Sequence, residues 1–339
     1  MLMAINQQGQ KILAQHANKF DKYQCPHCKS EVILKQGMTL IAHFAHKKRF
    51  NHHCSKSESV EHYEAKLYLA RIYKALNFNV EIEPYYKEVL QYPDIVINQE
   101  NAIEVQFSKI SISKIIRRTT GLKRIGLNVI WIIKDVPLKH KYVKLSPFQS
   151  AFIHPINRTL VTWDSKKFVL ILYSHLQHVG GKNFIAQRKV LKFEDIINMT
   201  FQSNNVPNFR LSASNIQRYI NYCRKRHSVL EPTLSAMYQL NMYDSDVISK
   251  LGYVVPHQIY LITHPIEWQL KYLLLRRTLN DNELCKQLLS QVKFRVFATF
   301  QYDKRQILNT ILREFDYLYE HESLNAVSYT HLRAHETRE

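Results

Sequence analysis

The stretch QYPDIVINQENAIEVQFS, residues 91–108, limits what this chain can fold into more than any other. Two apolar runs, DIVI and AIEVQFS, flank a turn-like interval and read as neighbouring strands. In the second run Ile103, Val105 and Phe107 point to one face of a sheet, and Ala102, Glu104, Gln106 and Ser108 to the other. Asp94 starts the first run, directly after a proline that can only begin a strand or lie at an edge. Two carboxylates side by side on adjacent strands repel each other, an arrangement tolerated when a divalent cation sits between them. Magnesium is held in this way, by one or two carboxylates with water and substrate phosphate, and can activate water against a phosphodiester. The plainer alternative is that Glu104 and Gln106 face solvent.

The flanking segments build a domain around these strands. NFNVEIEPYY, PDIVI, AIEVQFS and NVIWIIK read as strands, with a basic helix, SKIIRRTTGLKRIG, before the last. Upstream, ESVEHYEAKLYLARIYKAL spaces Glu58, His62 and Lys66 four apart on one helical stripe that continues through Leu69, Tyr73 and Leu76. Such a stripe aims ionisable groups at the edge of a core, although alone it also fits a surface Glu-to-Lys ladder. Helix, three strands, helix, strand predicts an α/β fold with a mixed sheet and helices packed on it. TLVTWDSKKFVLILYS adds a hairpin with DSKK as its turn, and beyond about residue 190 the pattern predicts a separate α-helical module.

At the N-terminus CPHC, at Cys25 and Cys28, precedes HFAH, at His43 and His46, with fourteen residues between the pairs. Zinc favours four N or S ligands in a tetrahedron, and a C-x2-C turn aims two thiolates at one ion, so the four residues are expected to bind structural zinc. Cys54, beside His52 and His53, is an alternative ligand. The isolated Cys223 and Cys285 read as small apolar fillers.

Of 339 residues, 47 are Lys or Arg and 28 Asp or Glu, a formal charge of +19 spread along the whole chain. A polyanionic partner follows, nucleic acid before an acidic membrane. No apolar run approaches the ~20 residues of a membrane-spanning helix, and MLMAINQQGQKILAQ lacks a secretory pattern, so the expected location is the cytoplasm. Lys114, Arg117 and Arg118, close together on the basic helix, are candidates to hold a DNA backbone, a solvated basic face being the alternative. YCRKRH and YLLLRR mix tyrosine with arginine, which suits stacking on unpaired bases but also suits a core. The last residues, VSYTHLRAHETRE, look like translated sequencing-adaptor read-through, setting 327–339 aside as a non-native tail.

CPHC, HFAH, ESVEH with Lys66, YPDIVI, AIEVQFSKIS and the RR and WII that follow occur in the order seen in the competence protein CoiA family, which the chain resembles over roughly residues 1–135. The resemblance implies a zinc-binding-like region (1–56), a nuclease-like domain of the PD-(D/E)XK type with a restriction-endonuclease-like core (57–175), and a helical C-terminal module (190–326). It implies a role in natural transformation, handling incoming DNA before recombination, with recombination proteins as further partners. Carried over, Asp94 and Glu104 ligate a catalytic Mg2+ or Mn2+, and Glu58 or Glu61 matches the acidic residue often added by the first helix. Gln106 departs from the pattern, because lysine is usual there; an amide places water but offers no full positive charge, and Lys66 is the candidate substitute. A non-catalytic DNA-binding mediator of recombination is therefore the alternative to a nuclease, and a defence or repair nuclease is a third reading.

Overall fold

The structure is a computed structural model that describes residues 1–26, 28–37, 41–47, 59–197, 206–228 and 230–321. Its first unit is an antiparallel sheet of β1 (Met3–Ile5), β2 (Lys11–Leu13), β3 (Tyr23–Gln24), β4 (Glu31–Lys35) and β5 (His43–His46), in the order β2-β1-β3-β4-β5. Strict alternation in β4 turns Val32 and Leu34 inward, where they meet Tyr23, Cys25 and Phe44. That core is too small to hold so short a segment on its own, so the unit needs a staple or a neighbour.

Helix α1 (Val60–Ala75) opens the central domain, with the Ser59 side chain accepting the His62 N–H as its cap. Strands β6 (Val80–Ile82), β7 (Ile95–Ile97) and β8 (Asn101–Gln106) follow, then helix α2 (Ile112–Arg124), β9 (Asn128–Lys134), β10 (Leu138–Lys139) and β11 (Tyr142–Lys144). A short α3 (Pro147–Ser150) leads into β12 (Leu160–Asp164), β13 (Val169–Gly180) and β14 (Asn183–Leu191). The nine strands form one sheet in the order β10-β11-β14-β13-β12-β9-β8-β7-β6. It is mixed, as expected: β9 runs parallel to both β8 and β12, and the other pairs are antiparallel. Leu69 and Tyr73 of α1 cover Ile95, Ile103 and Val105 on one face. Ile115 and Leu122 of α2 cover Val96, Ala102 and Trp131 on the other. Helices on both faces bury β8 throughout its middle, so Glu104 is 1% exposed and the solvent-facing alternative is excluded for Glu104, whereas Gln106, at the strand's end, is partly exposed.

Two expectations shift here. The sheet does not stop at residue 175; β13 continues to Gly180, and a turn through Gly181 returns the chain as β14 to pair with it as far as Leu191. NFNVEIEPYY is a strand only over Val80–Ile82, because Glu83 takes a left-handed backbone, φ 48°, ahead of Pro84.

The C-terminal part is helical, as expected: α4 (Phe193–Ile197), α5 (Ala213–Arg224), α6 (Pro232–Leu240), α7 (Asp244–Lys250), α8 (Pro265–Arg276), α9 (Asp281–Gln291) and α10 (Lys304–His321). EWQLKYLLLRRTLNDNELCKQLLSQV divides into α8 and α9 because the Asn280 side chain accepts the Glu283 N–H and starts a new helix. Cys223 and Cys285 are buried in this module. Among the described residues no helix is long and apolar enough to cross a membrane.

The module docks on the central sheet where Arg295 donates to Ser150 Oγ at 2.6 Å and where Gly180 meets His264. Gly180 has φ 113°, and a Cβ there would lie 2.1 Å from His264 Cδ2. The imidazole cannot retreat, since it stacks 3.5 Å from the Tyr219 ring and accepts the Ile266 N–H that begins α8. Gly180→Ala is expected to lower stability by about 2 kcal/mol or more in urea unfolding; an unchanged midpoint would contradict this account of the docking.

Candidate functional site

Register places the two strand carboxylates together. Ile95 pairs with Ile103 across β7 and β8, so Asp94, one residue before the ladder, falls opposite Glu104. Asp94 Oδ2 accepts the Val105 N–H at 2.9 Å, which locks the carboxylate over the end of the ladder. Lys66, on the sheet-facing stripe of α1, is completely buried; its Nζ lies 2.7 Å from Glu83 Oε1 and 3.5 Å from Asp94 Oδ1. His62, one turn earlier, brings Nε2 within 3.3 Å of Asp94 Oδ2. From the opposite face of the sheet Arg118 of α2 donates from Nε to Glu104 Oε1 at 2.6 Å and from a terminal nitrogen to the Tyr92 carbonyl at 2.7 Å.

Five charged side chains thus converge from two helices, one strand and the two positions that flank β6 and β7, Glu83 after the first and Asp94 before the second. Burial is the largest single influence on Glu83 and would raise its pKa, but the Lys66 ammonium and the N-terminal ammonium of Met1 together outweigh it and hold the carboxyl at about 2. Burial alone would lower the Arg118 pKa; the fields of Glu104 and, next, Asp94 raise it instead, so both carboxylates act on the same cation. Glu83 Oε2 also accepts the Leu2 N–H at 3.2 Å, which ties the N-terminal sheet to the charged cluster.

Of the residues expected in the site, the structure brings Asp94, Glu104 and Lys66 together. Gln106 sits at the end of β8: its amide donates to the Ser108 carbonyl at 2.7 Å and hydroxyl at 3.1 Å, and it lines an open cleft of about 450 Å3 with Lys109, Ser111, Lys134 and Gln149. Glu58 lies outside the described residues, and Glu61 pairs instead with Lys134 at 2.8 Å. Lys114 and Arg117 are exposed on α2, but Arg118 is not on that outer face. It shares the stripe of Ile115, Thr119 and Leu122, the face packed on the sheet, and so reaches Glu104 rather than solvent. Glu83 and Tyr92 had no distinguishing signal in the sequence. His62 did: it stands on the stripe between Glu58 and Lys66.

A second cluster lies in the N-terminal sheet. Ligand atoms of Cys25, Cys28 and His46 all fall within 4.8 Å of one another, with Cys28 Sγ 3.3 Å from His46 Nε2. Burial, the largest influence, pushes the Cys28 thiol up, but hydrogen bonds from Ser30, His46 and Cys25 together bring it down to about 6, toward the thiolate that metals require. His43 is not part of this group. HFAH is a strand, where residues three apart point to opposite faces, so His43 turns away, bonds the Ile41 carbonyl at 2.8 Å and stacks on Tyr63. His52, His53 and Cys54 lie outside the described residues. Two thiols and an imidazole suit zinc, whereas the opposed carboxylates of the central site are hard oxygen donors suited to Mg2+ or Mn2+.

Residues 58–205 match the competence protein CoiA nuclease-like domain, and residues 5–57 match the competence protein CoiA N-terminal domain. Together these cover more than half of the chain, which belongs to the competence protein CoiA family. The chain is similar to the competence protein CoiA of Bacillus subtilis (strain 168), 29% identical over 180 residues, covering 50% of this chain and 46% of that protein. It thus aligns with about half the length of this relative. No solved structure matches.

Removing the central cation of a buried group of carboxylates leaves their charges uncompensated. Lys66→Met should therefore destabilise the protein by roughly 3–5 kcal/mol in urea unfolding, and adding Glu83→Gln should recover part of the loss. Additive losses would show that the two side chains do not act on each other. Because the Glu83 pKa is depressed in the fold, the stability it contributes is fully present above its ordinary value of 4.5 and is lost as pH falls toward about 2. The gap between the wild type and Glu83→Gln should close over that interval; a constant gap would contradict the pairing.

Proposed function

We propose that the central domain hydrolyses DNA phosphodiester bonds in a metal-dependent reaction of the PD-(D/E)XK type, and that the protein handles incoming DNA during natural transformation. The observation that carries this reading is the register placing Asp94 opposite Glu104 beside a buried lysine. Mg2+ or Mn2+ held by these two carboxylates would supply Lewis-acid stabilisation of the phosphate and a water of lowered pKa. Lys66, held by Glu83, takes the place of the strand lysine that Gln106 lacks and offers positive charge at the metal-binding end of Asp94. Gln106, at the end of β8, orients water through its amide, while Lys114 and Arg117 hold the DNA backbone.

In the N-terminal unit, Cys25, Cys28 and His46 hold a structural zinc that makes up for the small core. The family membership and the relative's name support the competence role; a place in the cytoplasm and recombination proteins as partners are further parts of the proposal. One observation favours a non-catalytic mediator instead: the Gln106 amide is engaged by Ser108, and both strand carboxylates already carry protein cations.

Purified protein given labelled single-stranded, duplex and branched DNA should cut at least one of them with Mg2+ or Mn2+ and none with chelator. Glu104→Gln should lower that rate at least about 100-fold with the fold intact. Tight, salt-sensitive binding without cleavage by the wild type would establish the mediator and overturn the enzyme. Transformation frequency set against DNA-damage survival in a deletion strain separates a competence role from repair or defence. Metal analysis of protein purified without chelator should find one zinc per chain, lost in Cys28→Ser; zinc-free, folded wild type would remove that site.

A further inference from the structure

We propose that the outer face of α5, in the C-terminal module, binds single-stranded nucleic acid independently of the central site. Ile216, Ile220 and Cys223 anchor α5 in the module's core, and the opposite face is an open surface that presents Gln217, Arg218, Asn221, Tyr222, Arg224 and Lys225. Tyr222 is 61% exposed, so the core role that usually explains an aromatic residue at helical spacing does not apply to it. Arg218 lies one turn before Tyr222 and Lys225 one turn after, which sets a ring between two cations on one stripe.

The charge of the face is positive and largely unspent. Asp244 is the acidic group held against it, and Arg224 already neutralises that carboxylate at 2.5 Å while Gln217 donates to it at 2.7 Å. Asp246 is taken up by Lys250 at 3.0 Å. Among the described residues, Arg218, Lys225 and Arg226 form no ion pair with an acidic side chain. Tyr243, 78% exposed, directly precedes the Asp244 that Gln217 and Arg224 hold, and is a second exposed ring next to this face in the chain.

Cations alone would suit any polyanion. The exposed ring selects among them: unpaired bases offer π-faces to stack on, whereas a duplex hides its base faces within the stack. An acidic peptide offers the charge without the faces. A membrane surface would call for an apolar face, and this one is polar apart from Tyr222.

The test is fluorescence anisotropy of the full chain with labelled dT20 and with a 20-base-pair duplex, without added Mg2+ or Mn2+ and without a chelator that would strip zinc. Tyr222→Ala should weaken dT20 binding roughly 5- to 100-fold, with Tyr222→Phe near wild type and duplex affinity changed less than about twofold. Arg218→Glu with Lys225→Glu should weaken dT20 binding and flatten its salt dependence. Tyr222 is exposed, so its loss leaves the core unchanged, which circular dichroism checks. Unchanged dT20 affinity in Tyr222→Ala would overturn the proposal, as would equal loss for dT20 and duplex, or competition by polyglutamate or acidic vesicles as effective as that by unlabelled dT20.

Discussion

Lys66 is a full positive charge with no access to water, and the central domain is arranged to make that tolerable. An ammonium buried without partners would lose its proton or unfold its surroundings. Here Glu83 and Asp94 compensate it, one presented by the left-handed residue that ends β6 and the other by the residue preceding β7. The lysine in turn helps keep the Glu83 carboxylate ionised at a depth where burial favours protonation. The same contact fixes α1 to the sheet by charge as well as by the packing of Leu69 and Tyr73.

The cluster is built from both faces of the sheet. Lys66 and His62 approach from α1, Arg118 from α2, and the carboxylates of Asp94 and Glu104 lie between them. Because Leu2 donates its N–H to Glu83, the position of the N-terminal sheet is mechanically linked to the residue that holds Lys66. A zinc bound in that sheet would therefore steady the central site as well as its own small core.

Much of this was legible in the sequence, where periodicity reports it directly. The stripe of His62, Lys66, Leu69 and Tyr73 announced which side of α1 faces the sheet, and the spacing of Asp94 and Glu104 about a turn announced their pairing. What stayed hidden depended on local geometry. Arg118 was read with its basic neighbours because charge clusters in sequence, while helical phase, visible in Ile115, Thr119 and Leu122, sends it inward. HFAH was read as a four-ligand spacing, although on a strand only one of its histidines faces the cysteines. Glu83 had no signal at all, since nothing in EIEP distinguishes it from Glu81 until the chain folds the lysine onto it.

The central claim is that Asp94 and Glu104 form a single divalent-cation site beside Lys66. Calorimetric titration of Mn2+ into the full chain, compared with Asp94→Asn and Glu104→Gln, tests it without assuming cleavage or DNA. The account predicts one Mn2+ site in the wild type, lost or weakened at least about tenfold in each variant. Mn2+ binding that is absent from the wild type, or indifferent to both substitutions, would contradict it.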